Sequence, residues 1–437
     1  MQDSGVADVE PCDVLVIGGG PAGSTVATLL AERGRKVVML EKDTHPRFHI
    51  GESLLPQNLT LLERLGVLDE VARIGVHKPG AEFVSDEHGG KRVAFRFADG
   101  LDPAFTYSFH VRRADFDELL FRNSQRRGVD AREGIRVVSV ELDPASGSRV
   151  TAVDAAGDTR SWQARFIVDA SGRDTYLAGK LGTKGRNRHN NTAAMFGHFR
   201  GVAPLGERDE GNITIHLFEA GWFWAIPLPD GITSIGAVSN AAFFKDRGGA
   251  SVEEFFLATI GRCPSLARRT ATATLTTPVT ATGNYSYQAQ SMAGDGYILV
   301  GDAFAFIDPV FSSGVHLAMS SAALGAEAVD AWLDNPATAR APLRRFDAAV
   351  RRSLDAFSWL IYRINRPVLR DLFMEPGNQL RMRDGLVSLL AGNTQGGFKH
   401  LLPVWAFKAT YHGLSLAAHF GYRLRGGRLV RSAAAES

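Results

Sequence analysis

The sequence is poor in cysteine. Its 437 residues include two, Cys12 and Cys263, far apart and in no C-x-x-C pair. That excludes a disulfide framework or a cysteine zinc site and fits a reducing compartment. There is no uncharged apolar run of about 18 residues, so no membrane-spanning helix is expected. Even Ile298–Phe311 is broken by Asp302 and Asp308. The opening MQDSGVADVEP has neither the basic nor the apolar region of a signal peptide, so a cytoplasmic protein is the expectation. Charge of one sign is lacking too: 49 Lys and Arg against 47 Asp and Glu leave +2, no field to gather nucleic acid or an anionic membrane. The end is locally basic, with Arg423, Arg425, Arg428 and Arg431 against Glu436. It reads as a solvated tail. Repeats are absent, and low complexity is confined to Ala433–Ala435.

What is present is an ordinary globular composition, 45% apolar and 22% charged, long enough for two or three domains. The 46 glycines gather at a few turns. Asp13–Ile17 reads as a continuously apolar strand, the pattern of a parallel sheet buried on both faces. It runs into Gly18-Gly19-Gly20-Pro21-Ala22-Gly23, a helix over Ser24–Arg33 and a second strand, Lys36–Glu41. This is the G-x-G-x-x-G dinucleotide fingerprint in its strand–loop–helix–strand setting. Gly18 permits the tight turn, Gly20 admits the pyrophosphate, and Gly23 lets helix and strand pack closely. The helix N-terminus offers free N–H groups to phosphate, and Glu41 stands where a carboxylate accepts ribose hydroxyls.

The flavin is told from a nicotinamide by later segments. Tyr297–Asp302 is an apolar strand closing on Gly301-Asp302-Ala303 and resembles the second FAD motif of glutathione-reductase-like flavoproteins. Asp169-Ala170-Ser171-Gly172-Arg173 resembles their middle motif, and Arg113, in the stretch Val111–Asp117, matches an arginine they place near FAD. No second fingerprint follows a predicted strand. Reduced flavin is therefore expected from outside, from a separate NAD(P)H-dependent flavin reductase, or NAD(P)H visits transiently. The resemblance implies FAD. It also implies an α/β fold: a glutathione-reductase-type, Rossmann-like FAD-binding domain, an inserted antiparallel-sheet substrate domain and a helical C-terminal region. The expected boundaries are 1–80, 108–182 and 283–335 for FAD, 81–107 and 183–282 for the substrate side, and 336–437 for the helices. Phe105, Tyr107 and Phe109 recur with period 2 and are expected on one face of a strand, as core or as an aromatic wall. Leu343–Trp359 is expected helical.

Three further motifs, within a similarity running over most of residues 11–395, resemble the FAD-dependent halogenases, especially those acting on phenols and pyrroles. Trp222-Phe223-Trp224-Ala225-Ile226-Pro227 matches their W-x-W-x-I-P. On a strand, Trp222, Trp224 and Ile226 point one way; the resemblance makes them, with Pro227, Phe306 and Pro309, a barrier keeping organic substrate from the flavin. Phe306–Gly314 matches F-x-x-P-x-x-S-x-G. Gly314 opens a helix running through Val329, and the orphan N–H groups there suit chloride, bromide or the flavin edge. Ser312, Ser313 and Gly314 are the expected halide site. Lys78, in Val76-His77-Lys78-Pro79-Gly80 after the Gly51-Glu52-Ser53 turn and an expected Leu54–Leu65 helix, aligns with the lysine the family requires. It is expected to hydrogen-bond hypohalous acid or to form a haloamine.

The same resemblance assigns cofactor contact to Ala22, Lys42, Arg47, Ile50, Gly51, Asp169, Gly172, Gly301, Asp302, Gly314 and Val315. Residues 42–52 would form a strap over the flavin, with Arg47 and His49 touching it or solvated. A base for the aromatic proton has two candidates, Glu82 and His110. The longer chain and additional glutamate of the tryptophan-specific subgroup are missing. The expected substrate is therefore an electron-rich phenol or pyrrole, free or on an acyl or peptidyl carrier protein. Tyr362–Leu390 resembles the C-terminal helices of pyrrole halogenases. Two alternatives remain at this point: an FAD monooxygenase or oxidoreductase without halogenation, and a non-catalytic flavin-binding partner.

Overall fold

The computed structural model describes residues 9–187, 191–206, 210–283 and 286–431. The apolar runs read from the sequence become the centre of a mainly parallel sheet. Its order is Ala293–Gly294, Tyr297–Leu299, Thr159–Asp169, Val9–Ile17, Val37–Leu40 and Asp130–Arg132. Val14 lies opposite both Val37 and Phe166, Ile17 opposite Leu40 and Asp169, and Asp169 opposite Leu299. All four strands thus end at one edge, which delivers Gly18, Glu41, Ala170 and Asp302 to a common crevice. Helices Pro21–Ala31 and Ser313–Asp334 pack together over one face. Val14, Leu15, Val16, Phe166, Ile167 and Val168 are wholly buried, so both faces of the sheet are covered.

The second large sheet is built from Thr192–Arg200, Ile232–Asn240, Gly221–Leu228, Ile213–Phe218, Gly80–Ser85 and Lys91–Arg96. Neighbours run antiparallel except Gly80–Ser85, which lies parallel to Ile213–Phe218. Period-2 alternation gives it two buried faces. Trp222, Trp224 and Ile226 enter the main core, while Phe223 and Ala225 enter a smaller one under the helices Val252–Gly261 and Pro264–Thr270. The aromatic alternation over residues 105–109 behaves differently from expectation. Phe105 sits in a turn bonded to Asp102, and the strand is only Ser108–His110. Asp102-Pro103 ahead of it breaks the extended chain. Tyr107 and Phe109 still touch edge to face, ring centroids 5.6 Å apart.

Beyond Asn335 the chain forms helices Arg340–Ile361, Pro367–Met374, Met382–Leu390 and Phe398–His419. The basic stretch after them is not a tail. Tyr422–Arg425 and Arg428–Arg431 pair as a hairpin, and Arg423 donates to both Asp371 oxygens. Gly426-Gly427, both left-handed at φ 56° and 72°, make the two-residue turn that favours such pairing. Glu436 and Ala433–Ala435 lie outside the described residues. Among the described residues no helix is long and apolar enough to cross a membrane, and no cluster of three or more potential metal ligands occurs.

Candidate active site

The crevice at the strand ends is a cleft of about 570 Å³, within the roughly 300–1,000 Å³ common for ligand sites. Its floor is the fingerprint. A Cβ on Gly18 would lie 2.5 Å from the Ala170 oxygen, and one on Gly23 would lie 1.8 Å from the Gly18 oxygen. Both positions therefore demand glycine. Gly18, Gly20 and Ala22 line the cleft, whereas Gly23 and Gly301 pack the helix against its neighbours behind it. The helix starts at Pro21 with no side chain capping it, which leaves its first N–H groups for an anion. Glu41 is buried, and its Oε2 accepts the Gly19 N–H at 2.7 Å.

The cationic wall is held by a residue to which the sequence reading assigned no role. Asp117 accepts two bonds from Arg113, at 2.7 and 3.0 Å, and one from Arg47 at 3.1 Å. Those arginines keep its carboxyl below the ordinary range even though burial pushes the other way. Arg113 also donates to the Ile50 carbonyl at 2.8 Å, tying the strap to the wall. The clue was an Asp four residues after an Arg in a helix beginning at Arg113. His49 donates to the Ile50 carbonyl at 2.8 Å; the nearby Arg113 charge and burial hold its imidazole down to about 4. Lys42 pairs with Asp174. Asp302 lies in the cleft, where burial raises its carboxyl to about 6 against the pull of Arg113 and Arg173. Asp169 does not reach the cleft: its two oxygens accept the Ser171 and Leu177 N–H groups and hold the turn that carries Ala170 and Gly172 there.

Across the cleft stand Trp224, Ile226, Phe306 and Pro309. Trp222, its ring centre 6.1 Å from that of Trp224, and Pro227 are outside the lining. Gly236 lets the Trp224 indole lie flat on its strand, since a Cβ there would meet the ring at 2.1 Å. Ser312, Ser313, Gly314 and Val315 complete the lining where the long helix begins. Ser312 is left-handed at φ 56°, no side chain caps the helix, and a Cβ on Gly314 would meet nothing within 4 Å. The end is open, with unclaimed N–H groups, which suits a halide or an anionic ring edge. The donor set and the glycine cradle fit FAD.

Lys78 is outside this cleft and 1% exposed. It ends the strand Val76–Lys78, which pairs with Ser108–His110 so that Lys78 faces Ser108 and Val76 faces His110. Its ammonium donates to the Leu54 carbonyl at 2.8 Å and lies 5.2 Å from the Phe97 ring centre. Burial lowers it from the ordinary 10.5 to about 7. Ser53, the residue before Leu54, lines the cleft, so a single peptide unit separates the cleft wall from the lysine's acceptor. Of the two candidate bases, Glu82 is paired with Arg92 at 2.7 Å. His110 is buried beside Lys78.

The tryptophan halogenase family model matches residues 13–103 and 100–366. The tryptophan 2-halogenase of Chondromyces crocatus is 39% identical over 323 residues, 72% of this chain and 60% of that protein. The 1H-pyrrole-2-carbonyl peptidyl-carrier-protein chlorinase of Pseudomonas fluorescens is 30% identical over 415 residues, 88% and 90% of the two chains. Among solved structures, the myxobacterial chondrochloren halogenase CndH, an FAD-dependent halogenase, superposes with a TM-score of 0.76 at 33% identity, covering 93% and 98%. The chain thus spans about three-fifths of the Chondromyces protein and nearly all of the other two. On this match, continuous from the fingerprint into the C-terminal helices, the chain belongs to the tryptophan halogenase family.

Proposed function

We propose that the chain is an FAD-dependent halogenase whose halogen-transferring residue is Lys78. Bound reduced FAD, with O2 and chloride or bromide, supplies hypohalous acid in the cleft. The protein's part is placement and exclusion. The Ser312–Gly314 helix start holds the halide, Trp224, Ile226, Phe306 and Pro309 keep organic substrate off the flavin, and Trp222 and Pro227 support that wall from outside the lining. Arg47 and Arg113, fixed by Asp117, meet the cofactor's negative charge. Lys78 then receives hypohalous acid and directs its halogen to an electron-rich phenol or pyrrole.

The observation that carries this reading is a lysine sealed from solvent one peptide unit behind the wall of a flavin-sized cleft. A buried, weakly solvated amine is costly to keep, which is reasonable only for a group with work to do. The lone fingerprint supports a separate flavin reductase as electron source. A carrier-tethered substrate is supported by the chlorinase relative and by the exposed apolar face of the Phe398–His419 helix, where Phe398, Trp405 and Leu416 are each more than half exposed. Cys12 and Cys263 are free and buried, with burial pushing their thiols up to about 12 and about 11; unreactive thiols of this kind suit a cytoplasmic setting.

The test is incubation with a flavin reductase, NADH, FAD and chloride or bromide, offering phenols and pyrrole-2-carboxylate both free and carrier-tethered. Mass spectrometry is expected to find monohalogenated product only when reductase and halide are both present. Oxygenated product formed without halide would replace this reading with a monooxygenase.

A further inference from the structure

On the strand face that carries Lys78, three buried polar atoms have no partner among the described residues, Ser53 Oγ, Ser108 Oγ and His110 Nδ1; both amide atoms of Asn212, next along the chain from Gly211, are also without one. Strand register brings the first three together. Ser108 is opposite Lys78, and His110 is opposite Val76 on one side and bridged to Ser53 on the other. In paired strands, opposite residues share a face and every second residue returns to it. Lys78, Ser108, His110 and Ser53 therefore share one face. Asn212 is joined to this face through Gly211, whose carbonyl accepts from His110 Nε2 at 2.8 Å. A Cβ on Gly211 would sit 2.2 Å from the His77 oxygen, so only glycine lets the segment come this close.

An orphaned buried polar atom is costly, and several on one face would give partners to a small polar guest. The chemistry of that guest follows from His110. With Nε2–H given to Gly211, Nδ1 carries a lone pair and can only accept. Burial and the neighbouring Lys78 charge hold the imidazole neutral, well below its ordinary range. The other titratable groups near this face are Glu52, whose Oε1 accepts from His198 at 2.9 Å while its buried Oε2 has no partner among the described residues, and His77, stacked on Tyr107. A neutral acceptor beside an ammonium suits a small neutral molecule with an O–H to donate. The cluster begins at Ser53 in the cleft wall, where hypohalous acid would arise.

We infer that His110 is the positioning residue for hypohalous acid: Nδ1 accepts the acid's O–H while Ser53 and Ser108 line its way from the cleft to Lys78. This rests on the halogenase reading above and deepens it. The transfer then balances. The ring's π pair forms the carbon–halogen bond, the halogen–oxygen bond breaks with its pair on oxygen, and the Lys78 ammonium gives that oxygen a proton to make water. The ring proton returns to the Lys78 amine. His110 stays neutral throughout.

The test needs no natural substrate. Protein loaded with reduced FAD is mixed once with oxygenated bromide buffer containing monochlorodimedone, and flavin reoxidation and bromination of the trap are followed together. Wild type is expected to show bromination lagging reoxidation. His110→Phe, which keeps a ring but no acceptor, shortens the lag at least tenfold. His110→Gln, whose amide can donate to Gly211 and still accept, stays within about threefold of wild type. Ser108→Ala, a change too small to threaten folding, shortens the lag about threefold. A crystal structure is expected to show ordered water within hydrogen-bond distance of His110 Nδ1. A wild-type lag unchanged in His110→Phe and Ser108→Ala, or a dry cluster, overturns the inference. Lys78→Met separates the two claims: an unchanged lag there removes the Lys78 reading itself, and absent bromination in wild type removes halogenation.

Discussion

Lys78 and Leu54 are joined by one hydrogen bond, the ammonium donating to the carbonyl at 2.8 Å, with the Phe97 ring centre 5.2 Å from the ammonium. Among the described residues no carboxylate neutralises this charge. The structure thus keeps a half-satisfied cation in its core, next to the wall of the cleft that fits FAD. On the proposed role of Lys78, stability and function pull in opposite directions at this residue.

The first prediction concerns that conflict. Lys78 is lowered from 10.5 to about 7 by burial, so the native state binds its proton less readily than the unfolded chain. The resulting penalty is full below about pH 7 and fades as pH rises towards 10.5. It is bounded by about 5 kcal/mol. Lys78→Met should raise the melting temperature at pH 6 and lose most of that advantage at pH 10, while abolishing substrate halogenation. A lower melting temperature at both pH values would show that the lysine is stabilising.

Asp117→Ala leaves Arg47 and Arg113 buried or half-buried without their shared carboxylate. The expected loss is about 3–5 kcal/mol of stability, with FAD binding weakened at least tenfold. Denaturant unfolding and flavin fluorescence titration read the two effects separately. FAD affinity equal to wild type would show that the arginines do not meet the cofactor.

Gly23→Ala puts a methyl group against the Gly18 oxygen. The fingerprint helix must then move off its strand, and FAD affinity should fall more than tenfold. Gly172→Ala differs: its Cβ meets nothing within 4 Å, and only its left-handed φ of 62° opposes the change. About 1 kcal/mol is expected there. Equal losses at the two sites would contradict the packing argument.

Trp224→Ala opens the cleft wall without touching the fingerprint or the arginines. FAD binding should stay within a few-fold of wild type. Direct oxygenation of an added phenol should appear, and halogenation per flavin oxidised should fall. Chromatography of products against flavin turnover checks this, and an unchanged product ratio would remove the barrier role.

Much of this was legible in the chain. The dinucleotide crevice follows from local signals: an apolar run, glycines at fixed spacing and a terminal acid lie within Asp13–Glu41, and parallel register does the rest. The hairpin at Tyr422–Arg431 was also legible through Gly426-Gly427, against the usual case of a terminus that is exposed and poorly ordered. The strand expected at Phe105 failed because alternation is a weak signal beside an Asp-Pro turn. His110 marks the harder limit. Its tautomer is set by a carbonyl 101 residues away, and that burial leaves Asn212 unpartnered is a property of packing. Asp169 shows the converse, since its motif was recognised but its carboxylate is spent on its own loop.

The central claim is that the cleft converts halide into an electrophilic halogen. The most direct test mixes anaerobic protein loaded with reduced FAD into oxygenated buffer at increasing bromide or chloride and measures hydrogen peroxide and trapped hypohalous acid after one turnover. The account predicts that peroxide falls as halide rises, replaced mole for mole by trapped halogen. Peroxide yield independent of halide, with no halogen trapped, would contradict it and leave a flavoprotein oxidoreductase on the same fold.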